Sequence, residues 1–401
     1  MDTAKRQTGS AGEVFIAFLR LGLTSFGGPI AHLGYFRNEI VIRRRWLDEA
    51  EYADLLALCQ FLPGPASSQA GFALGLWRAG PLGALAAWAA FTLPSAALLV
   101  AFALAGAALD GPIAQGVLHG LKLVAVAVVA QAVWGMARSL APDRQRATIA
   151  VAAVVATIVL SGSIGQVAAI ALGGVAGLVF CRDGGALTKA AMRFPVSRLA
   201  GMISLGAFAI LLVGLPLVAS VANVHGLALF DAFYRAGSLV FGGGHVVLPL
   251  LDAETVASGW VSKDAFLAGY GAAQAMPGPL FTFAAYLGAV GSLPPNHLVG
   301  AAIALVAIFL PGFLLLVGVL PFWDALRTRP PAQAAMRGAN AAVVGILGAA
   351  LYDPVWTGAV LGPVDFALAL AGFVALVAWK APPWMVVLAL AVAGGIAAAA
   401  G

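Results

Sequence analysis

Two sets of helix-breaking residues recur inside apolar stretches of this chain, in the same order and at nearly the same spacing. Phe26-Gly27-Gly28 is followed by Gln60 and Pro63-Gly64-Pro65, and Phe241-Gly242-Gly243 by Gln274 and Pro277-Gly278-Pro279. The offset is 215 residues at the first motif and 214 at the second. An arginine precedes each Phe-Gly-Gly by six residues (Arg20 and Arg235), a tryptophan lies between the motifs in each half (Trp46 and Trp260), and Pro94 and Pro311 keep step at 217. Proline removes a backbone donor and clashes with the preceding turn, so Pro-Gly-Pro cannot continue a helix. The chain is therefore expected to fold as two copies of one unit, each interrupting its helices at matching points.

Those interruptions lie in membrane-type sequence. Hydrophobic residues make up 62% of the 401 and charged residues 10%, where a soluble domain is nearer half and a quarter. Apolar segments fall near 13–34, 52–75, 82–106, 115–138, 147–162, 165–181, 199–221, 231–250, 266–290, 297–321, 338–352, 366–380 and 384–400. Many approach the roughly 20 residues needed to span a bilayer, and none alternates as a barrel strand does. The expected class is an all-α polytopic membrane protein. The first apolar stretch holds Arg20 and lacks a small-residue cleavage site, so it is not read as a signal peptide. Cys59 and Cys181 offer neither a disulfide framework nor a zinc site, and no metal or cofactor is expected. In a chain of this kind the net charge of +5 reads as loop bias rather than as nucleic-acid binding.

Loop charges orient the halves. Arg37, Arg43, Arg44 and Arg45 crowd loop 35–51; Arg138, Arg144 and Arg146 flank 138–146; Arg182, Lys189, Arg193 and Arg198 mark 182–198. These read as cytoplasmic, and the bare loop 107–114 as external. In the second half the bias reverses: 251–265 and 352–365 are acidic, whereas 322–337 carries Arg327, Arg329 and Arg337. Matching loops of opposite bias imply inverted-topology repeats. Lys5 and Arg6 share a side with 35–51, so 13–34 must enter and leave on one face, and counting crossings makes 52–75 re-entrant as well. Four broken or re-entrant segments and about nine full crossings are expected around a central site. The domain reading is an N-terminal repeat 1–181, a basic linker 182–198, a connecting helix and outer loop 199–230, and an inverted repeat 231–401.

Duplicated breaks at membrane depth point to a transport site. Non-helical backbone is tolerated there only where protein or a water-filled cavity satisfies it. Pro65 and Pro279 are placed to open new helices, with Ser67 and Thr282 in the first turns; helix N-termini attract anions. Glycine pairs let backbone approach a ligand, and a membrane-embedded arginine marks function by default. The candidate substrate-binding set is Arg20, Ser25, Gly27, Gly28, Pro29, Gln60, Pro63, Gly64, Pro65 and Ser67 with Arg235, Gly242, Gly243, Gln274, Pro277, Gly278, Pro279 and Thr282. Two inverted halves, each supplying a guanidinium, a glycine pair and a helix N-terminus, would suit a small dianion.

Plainer roles compete. Glycine pairs also serve close helix packing, arginines near segment ends can snorkel, and Gln60 and Gln274 can cap broken backbone. His32 and His245, at non-equivalent positions, read as helix-end residues, Lys122 as snorkelling, and Trp46 and Trp260 as interfacial anchors. Gly173-x-x-x-Gly177 is a small-residue pair able to pack copies of the chain into a homodimer.

Through Phe26-Gly27-Gly28-Pro29, Gln60-Phe61-Leu62-Pro63-Gly64-Pro65 and their echoes Phe241-Gly242-Gly243-Gly244 and Gln274-Ala275-Met276-Pro277-Gly278-Pro279, the chain resembles the chromate ion transporter family in its long, two-domain form. The resemblance covers nearly the whole chain. It implies export of chromate across a bacterial inner membrane, conferring chromate resistance, with sulfate as the competing tetrahedral dianion. It also implies roles for Gly27, Gly28, Pro29, Pro63, Gly64 and Pro65; Gly244 departs from the pattern where proline would follow Gly-Gly. The expected arrangement has a cytoplasmic N-terminus and linker and a periplasmic C-terminus. A channel, or an exporter of another oxyanion such as sulfate, is the alternative. An enzyme is not expected: no His-Glu-x-x-His, Gly-x-Ser-x-Gly, Walker motif or paired intramembrane aspartates occur.

Overall fold

The computed structural model describes residues 9–106, 111–160, 162–182 and 194–400. Lys5, Arg6, Lys189, Arg193, residues 107–110 of the bare loop and most of the 182–198 linker lie outside the described residues. The described residues are helical, with no strand among them. In order the helices are α1 (Ala11–Thr24), α2 (Gly28–Phe36), α3 (Glu49–Phe61), α4 (Ala66–Gly106), α5 (Pro112–Leu140), α6 (Arg144–Val159), α7 (Gly162–Phe180), α8 (Arg198–Ala222) and α9 (His225–Ser238). Then follow α10 (Val247–Leu251), α11 (Lys263–Ala273), α12 (Phe283–Val290), α13 (His297–Val319), α14 (Trp323–Leu326), α15 (Pro330–Ala350), α16 (Thr357–Ala359), α17 (Pro363–Val377) and α18 (Pro383–Ala400). Among the described residues six helical stretches are long and apolar enough to cross a membrane. Local signals set the starts: Ser10, Ser197 and Ser262 cap α1, α8 and α11, and Asp48 and Glu51 form a reciprocal capping box on α3.

The motif segments are hairpins. At 14 residues α1 reaches about 21 Å, short of a bilayer. The chain breaks at 25–27 and returns through α2, which continues as π-helical turns over Arg37–Arg43. Its far end comes back to its start: the Trp46 indole N–H donates to Glu13 at 3.2 Å. The second hairpin runs in along α3, breaks at 62–65, and returns along α4 as far as Ala79–Gly80, where Gly80 adopts φ +68°. Arg78, at that return, donates to the same Glu13 at 3.1 Å. Both hairpins of the first half therefore open on one face.

The second half repeats this. The Asp252–Val256 π-helical turns match Arg37–Arg43. His225, Trp260 and Ser292 meet at the hairpin mouths: the His225 and Trp260 rings lie 4.7 Å apart, and Ser292 N–H donates to Trp260 C=O at 2.9 Å. Helix α13 connects the two mouths. A Cβ on Gly226 would sit 3.1 Å from Pro295, just before α13, while beyond its far end Arg327 pairs with Asp54 of the first half's α3. The hairpins of the two halves thus enter from opposite faces, which is an inverted repeat. One face gathers Arg37, Arg43, Arg44, Arg78 and Arg327; the other gathers Asp264, Asp353 and Asp365, paired with Lys122, Lys263 and His119. They are called the basic and acidic faces below.

The halves also exchange helices. Gly116 and Gly120 of α5 lie against Gly394 and Leu390 of α18, and Gly173 and Gly177 of α7 lie against Gly338 of α15. A Cβ on Gly338 would fall 2.6 Å from the Gly177 Cα, so these backbones touch. Gly173 and Gly177, expected to join two copies, are used inside one. Trp46 is likewise no lipid anchor: it is 7% exposed, with the Arg78 guanidinium 5.0 Å from its ring.

Candidate functional site

Two glycines in left-handed conformations tie the hairpin tips together. Gly64 has φ +122° and Gly278 has φ +100°. The Gly64 N–H donates to Val240 C=O at 2.7 Å, and the Gly278 N–H donates to Ser25 C=O at 2.9 Å. Ser25 and Val240 are repeat equivalents, as are Gly64 and Gly278, so one hydrogen bond is the other turned over by the pseudo-twofold axis. Orphan groups that a Pro-Gly-Pro break leaves at membrane depth thereby find partners in the opposite half. A Cβ at either glycine has no room. At Gly64 it would meet Gln69 Nε2 at 2.9 Å and Gly312 Cα at 3.1 Å; at Gly278, Ser95 Oγ at 2.9 Å and the Phe91 carbonyl at 3.1 Å.

Four helix starts face this junction. Helix α2 begins at Gly28 behind Gly27 (φ +97°), with Pro29 in its first turn, and α4 begins just after Pro65. In the second half, 3₁₀ turns at Gly244–Val246 and Leu280–Thr282 lead into α10 and α12, behind Gly243 (φ +148°) and Pro279. A Cβ on Gly244 would lie 3.2 Å from Pro29, and one on Gly28 would lie 4.0 Å from His245 Nε2. The starts come from different hairpins yet lie within van der Waals reach. Each carries unpaired N–H donors and a partial positive charge, so together they favour an anion without a formal positive charge.

The candidate set divides accordingly. Ser25, Gly27, Gly28, Pro29, Pro63, Gly64, Pro65 and Ser67, with Gly242, Gly243, Pro277, Gly278, Pro279 and Thr282, lie on the breaks or the first turns after them. The glutamines stand apart: Gln60 is exposed at the end of α3, and Gln274 donates to the Tyr270 carbonyl of its own helix at 3.3 Å. The arginines are not brought to the junction. Arg20 is exposed on the outward stripe of α1 shared with Ile16 and Leu23. Arg235 forks onto Glu254 at 2.9 Å through both terminal nitrogens and reaches Asp231 at 3.0 Å. Its charge is spent on carboxylates that composition alone did not connect to it.

Residues outside the candidate set supply polar atoms here. Gln69 bridges the Pro63 and Gly312 carbonyls at 2.9 and 3.0 Å. His32 is 1% exposed, in mid-helix rather than at a helix end, with Nδ1 3.4 Å from Ser67 Oγ. His245 Nδ1 contacts Tyr270 Oη at 2.7 Å. Motif matching passes over His32 because nothing in the second half echoes it.

Repeat-related crevices lead inward from the two faces. On the acidic face a cavity of about 660 Å³ is lined by Ala103, Gly106, Lys122, Asp264, Ala268 and Tyr286, among others. Its counterpart on the basic face holds about 40 Å³ between Asp54, Leu55, Leu320, Pro321 and Trp323. Asp54 stands where Ala268 stands in the other crevice, and Trp323 where Gly106 stands. Arg327, 3% exposed, pairs with Asp54, and the Trp323 indole donates to it at 3.3 Å.

The model of a family described as chromate transporter matches the chain twice, over residues 12–178 and 227–395. The chain is 30% identical over 388 residues to a chromate transport protein of Pseudomonas aeruginosa, covering 94% of this chain and 90% of that one. It is 29% identical over 399 residues to a probable chromate transport protein of Synechococcus elongatus, covering 94% and 93%. A chromate transport protein of Cupriavidus metallidurans is 28% identical over 351 residues, covering 84% and 81%. No solved structure matches the chain.

Proposed function

The chain belongs to the chromate transporter family, and on that premise we propose that it is a secondary transporter that exports chromate from the cytoplasm across a bacterial inner membrane and confers chromate resistance. The observation that carries this reading is the meeting of four helix N-termini at hairpin tips tied by reciprocal glycine hydrogen bonds. A tetrahedral dianion accepts hydrogen bonds on every side, so donors converging from four directions suit it better than one planar guanidinium would. The repeats are 1–181 and 231–401, joined by the 182–198 linker and the 199–230 connection.

Arginine-rich loops prefer the cytoplasm, which makes the basic face internal and places the end of α18 outside. The 660 Å³ crevice is then an outward vestibule, and the Asp54–Arg327–Trp323 cluster closes the inner route. Exchange of open and closed mouths between inverted repeats gives alternating access around a fixed site. A negative-inside potential favours export by about 2.3 kcal/mol per charge for each 100 mV.

The test is radiolabelled chromate flux in proteoliposomes holding the full chain, with an imposed potential and sulfate as competitor. Saturable, sulfate-inhibited flux that follows the potential is expected. Flux that rises linearly with concentration identifies a channel, and flux of sulfate without chromate reassigns the substrate.

A further inference from the structure

The junction is symmetric in its backbone and asymmetric in its side chains. Behind the N-terminal breaks lie Ser25, His32, Ser67, Ser68, Gln69 and Thr92, all buried. Five of them present a buried polar atom with no partner among the described residues: Ser25 Oγ, His32 Nε2, Ser68 Oγ, Gln69 Oε1 and Thr92 Oγ1. Their equivalents in the second half are Val240, Val247, Phe281, Thr282, Phe283 and Phe309. The one hydroxyl retained there, Thr282, is satisfied by the Pro279 carbonyl at 2.8 Å. The C-terminal side is filled mainly by rings, with Phe281 packed on Phe309 at 5.7 Å and Phe266 on Phe283 at 5.2 Å; its polar groups are His245, held by Tyr270, and Asn340 beside Gly242.

A buried polar atom left without a partner keeps its full desolvation penalty, and five within one half, all on elements meeting at one junction, call for a ligand. The contacts connect His32, Ser67 and Ser25, while Ser68 adjoins Ser67 in the first turn of α4 and Thr92 adjoins Phe91. His32 touches Ser67 and lies edge-on to Phe91 at 5.4 Å; Phe91 and Ser95 border Gly278, whose N–H is held by Ser25. Helices α2 and α4, whose N-termini open toward this cluster, add backbone donors. With Nδ1 of His32 accepting a hydrogen bond from the Ser67 hydroxyl, the neutral ring carries its hydrogen on Nε2, available to donate into the cluster.

We propose that the tetrahedral oxyanion binds off the pseudo-twofold axis, in this N-terminal polar pocket, with His32 Nε2 and the Ser68 and Thr92 hydroxyls as its side-chain donors. The proposal rests on the transport reading above and adds where the dianion sits and which residues hold it. The C-terminal break is then a structural counterpart, supplying helix ends and apolar wall without side-chain ligands.

Two measurements on the detergent-solubilised full chain and on proteoliposomes test this. The first is the thermal shift caused by chromate, sulfate and molybdate, each added alone. The second is KM and maximal rate for chromate flux. The variants are His32→Leu, His32→Gln, Thr92→Val and the control Thr255→Val, whose buried hydroxyl donates to the Leu251 carbonyl at 2.7 Å, each first shown to melt cooperatively without ligand. Loss of a donor to a charged ligand is expected to raise KM about tenfold or more in His32→Leu and Thr92→Val, while the maximal rate changes less. His32→Gln, which keeps a donor, is expected to recover part of the affinity, and Thr255→Val to stay within about twofold of the parent. A parent stabilised by sulfate but not chromate overturns the substrate reading, yet sustains the pocket if His32→Leu abolishes the shift. An unchanged KM in His32→Leu with a transporting parent overturns the pocket alone, as does a Thr255→Val effect equal to that of Thr92→Val. Absence of any shift and any flux in the parent overturns both.

Discussion

The two mouths of this protein are lined in part by repeat-equivalent positions and differ more than tenfold in volume. On the acidic face the crevice between hairpin and crossing helix measures about 660 Å³, and on the basic face about 40 Å³. Part of the difference lies in the backbone, since a 3₁₀ turn at Leu320–Phe322 and the short α14 stand where α4 runs on to Gly106. Ala268 and Gly106 leave space where Asp54 and Trp323 fill it, and Arg327 locks the filled version with a buried ion pair. An inverted repeat hands each half much the same scaffold, and local turns and side chains then decide which end is shut. The glycine hydrogen bonds at the tips have stayed equal in both halves, whereas the mouths and the polar lining have diverged.

The comparison can be broken most severely at its symmetric element. Gly64→Leu and Gly278→Leu each place a side chain at positive φ against a neighbour within about 3 Å. Both are expected to lose at least about a hundredfold in transport, since strain and overpacking together reach several kcal/mol. Loss in only one would mean that the reciprocal bonds are unequal in function. The measurement is initial flux normalised to the amount of protein in the membrane.

A smaller effect is expected at the closed mouth. Arg327→Ala leaves Asp54 buried without its cation, a loss of about 3 kcal/mol. A lowered melting temperature is expected, together with faster labelling of an Asp54-neighbouring cysteine introduced by Leu55→Cys. Unchanged labelling would show that the ion pair holds the fold without closing the mouth.

The paired arginines should differ by less. Arg235→Ala exposes Glu254 and Asp231 to mutual repulsion, but its side chain is 32% exposed, so about 1–2 kcal/mol is expected. Arg20→Ala removes an exposed side chain and is expected to leave melting and flux near those of the parent. Equal loss of flux in the two would restore the idea that both guanidiniums serve the substrate. Smallest of all is Ser67→Ala, expected to cost about twofold in KM, because the hydroxyl contact to His32 is long at 3.4 Å while the backbone donors persist.

Much of the architecture was legible in the chain. Doubled Pro-Gly-Pro and Phe-Gly-Gly motifs located all four breaks, and the counting of loop charges required the hairpins and the inversion. These are local or additive properties, and helix breaking acts on a few residues regardless of neighbours. The different settings of Arg20 and Arg235 were not legible, for the opposite reason. Equivalent in the chain, they part company in space because Asp231 and Glu254 flank one, while apolar Ile16 stands where the first half would need Asp231. Glu39, the equivalent of Glu254, is held by Arg43 and Arg44 instead. Trp46 reads as a lipid anchor by type and becomes a clamp because Glu13 and Arg78 arrive beside it from distant positions.

The sequence alone thus determined a two-fold repeated, inverted helical membrane protein with broken helices at known residues, because backbone geometry and apolar length are written residue by residue. Only the tertiary structure decided which arginines are neutralised, which mouth is plugged, and that His32 joins a buried polar cluster. Those outcomes depend on which side chains meet across helices far apart in the chain, and a buried polar group takes its meaning from the partner it finds or lacks.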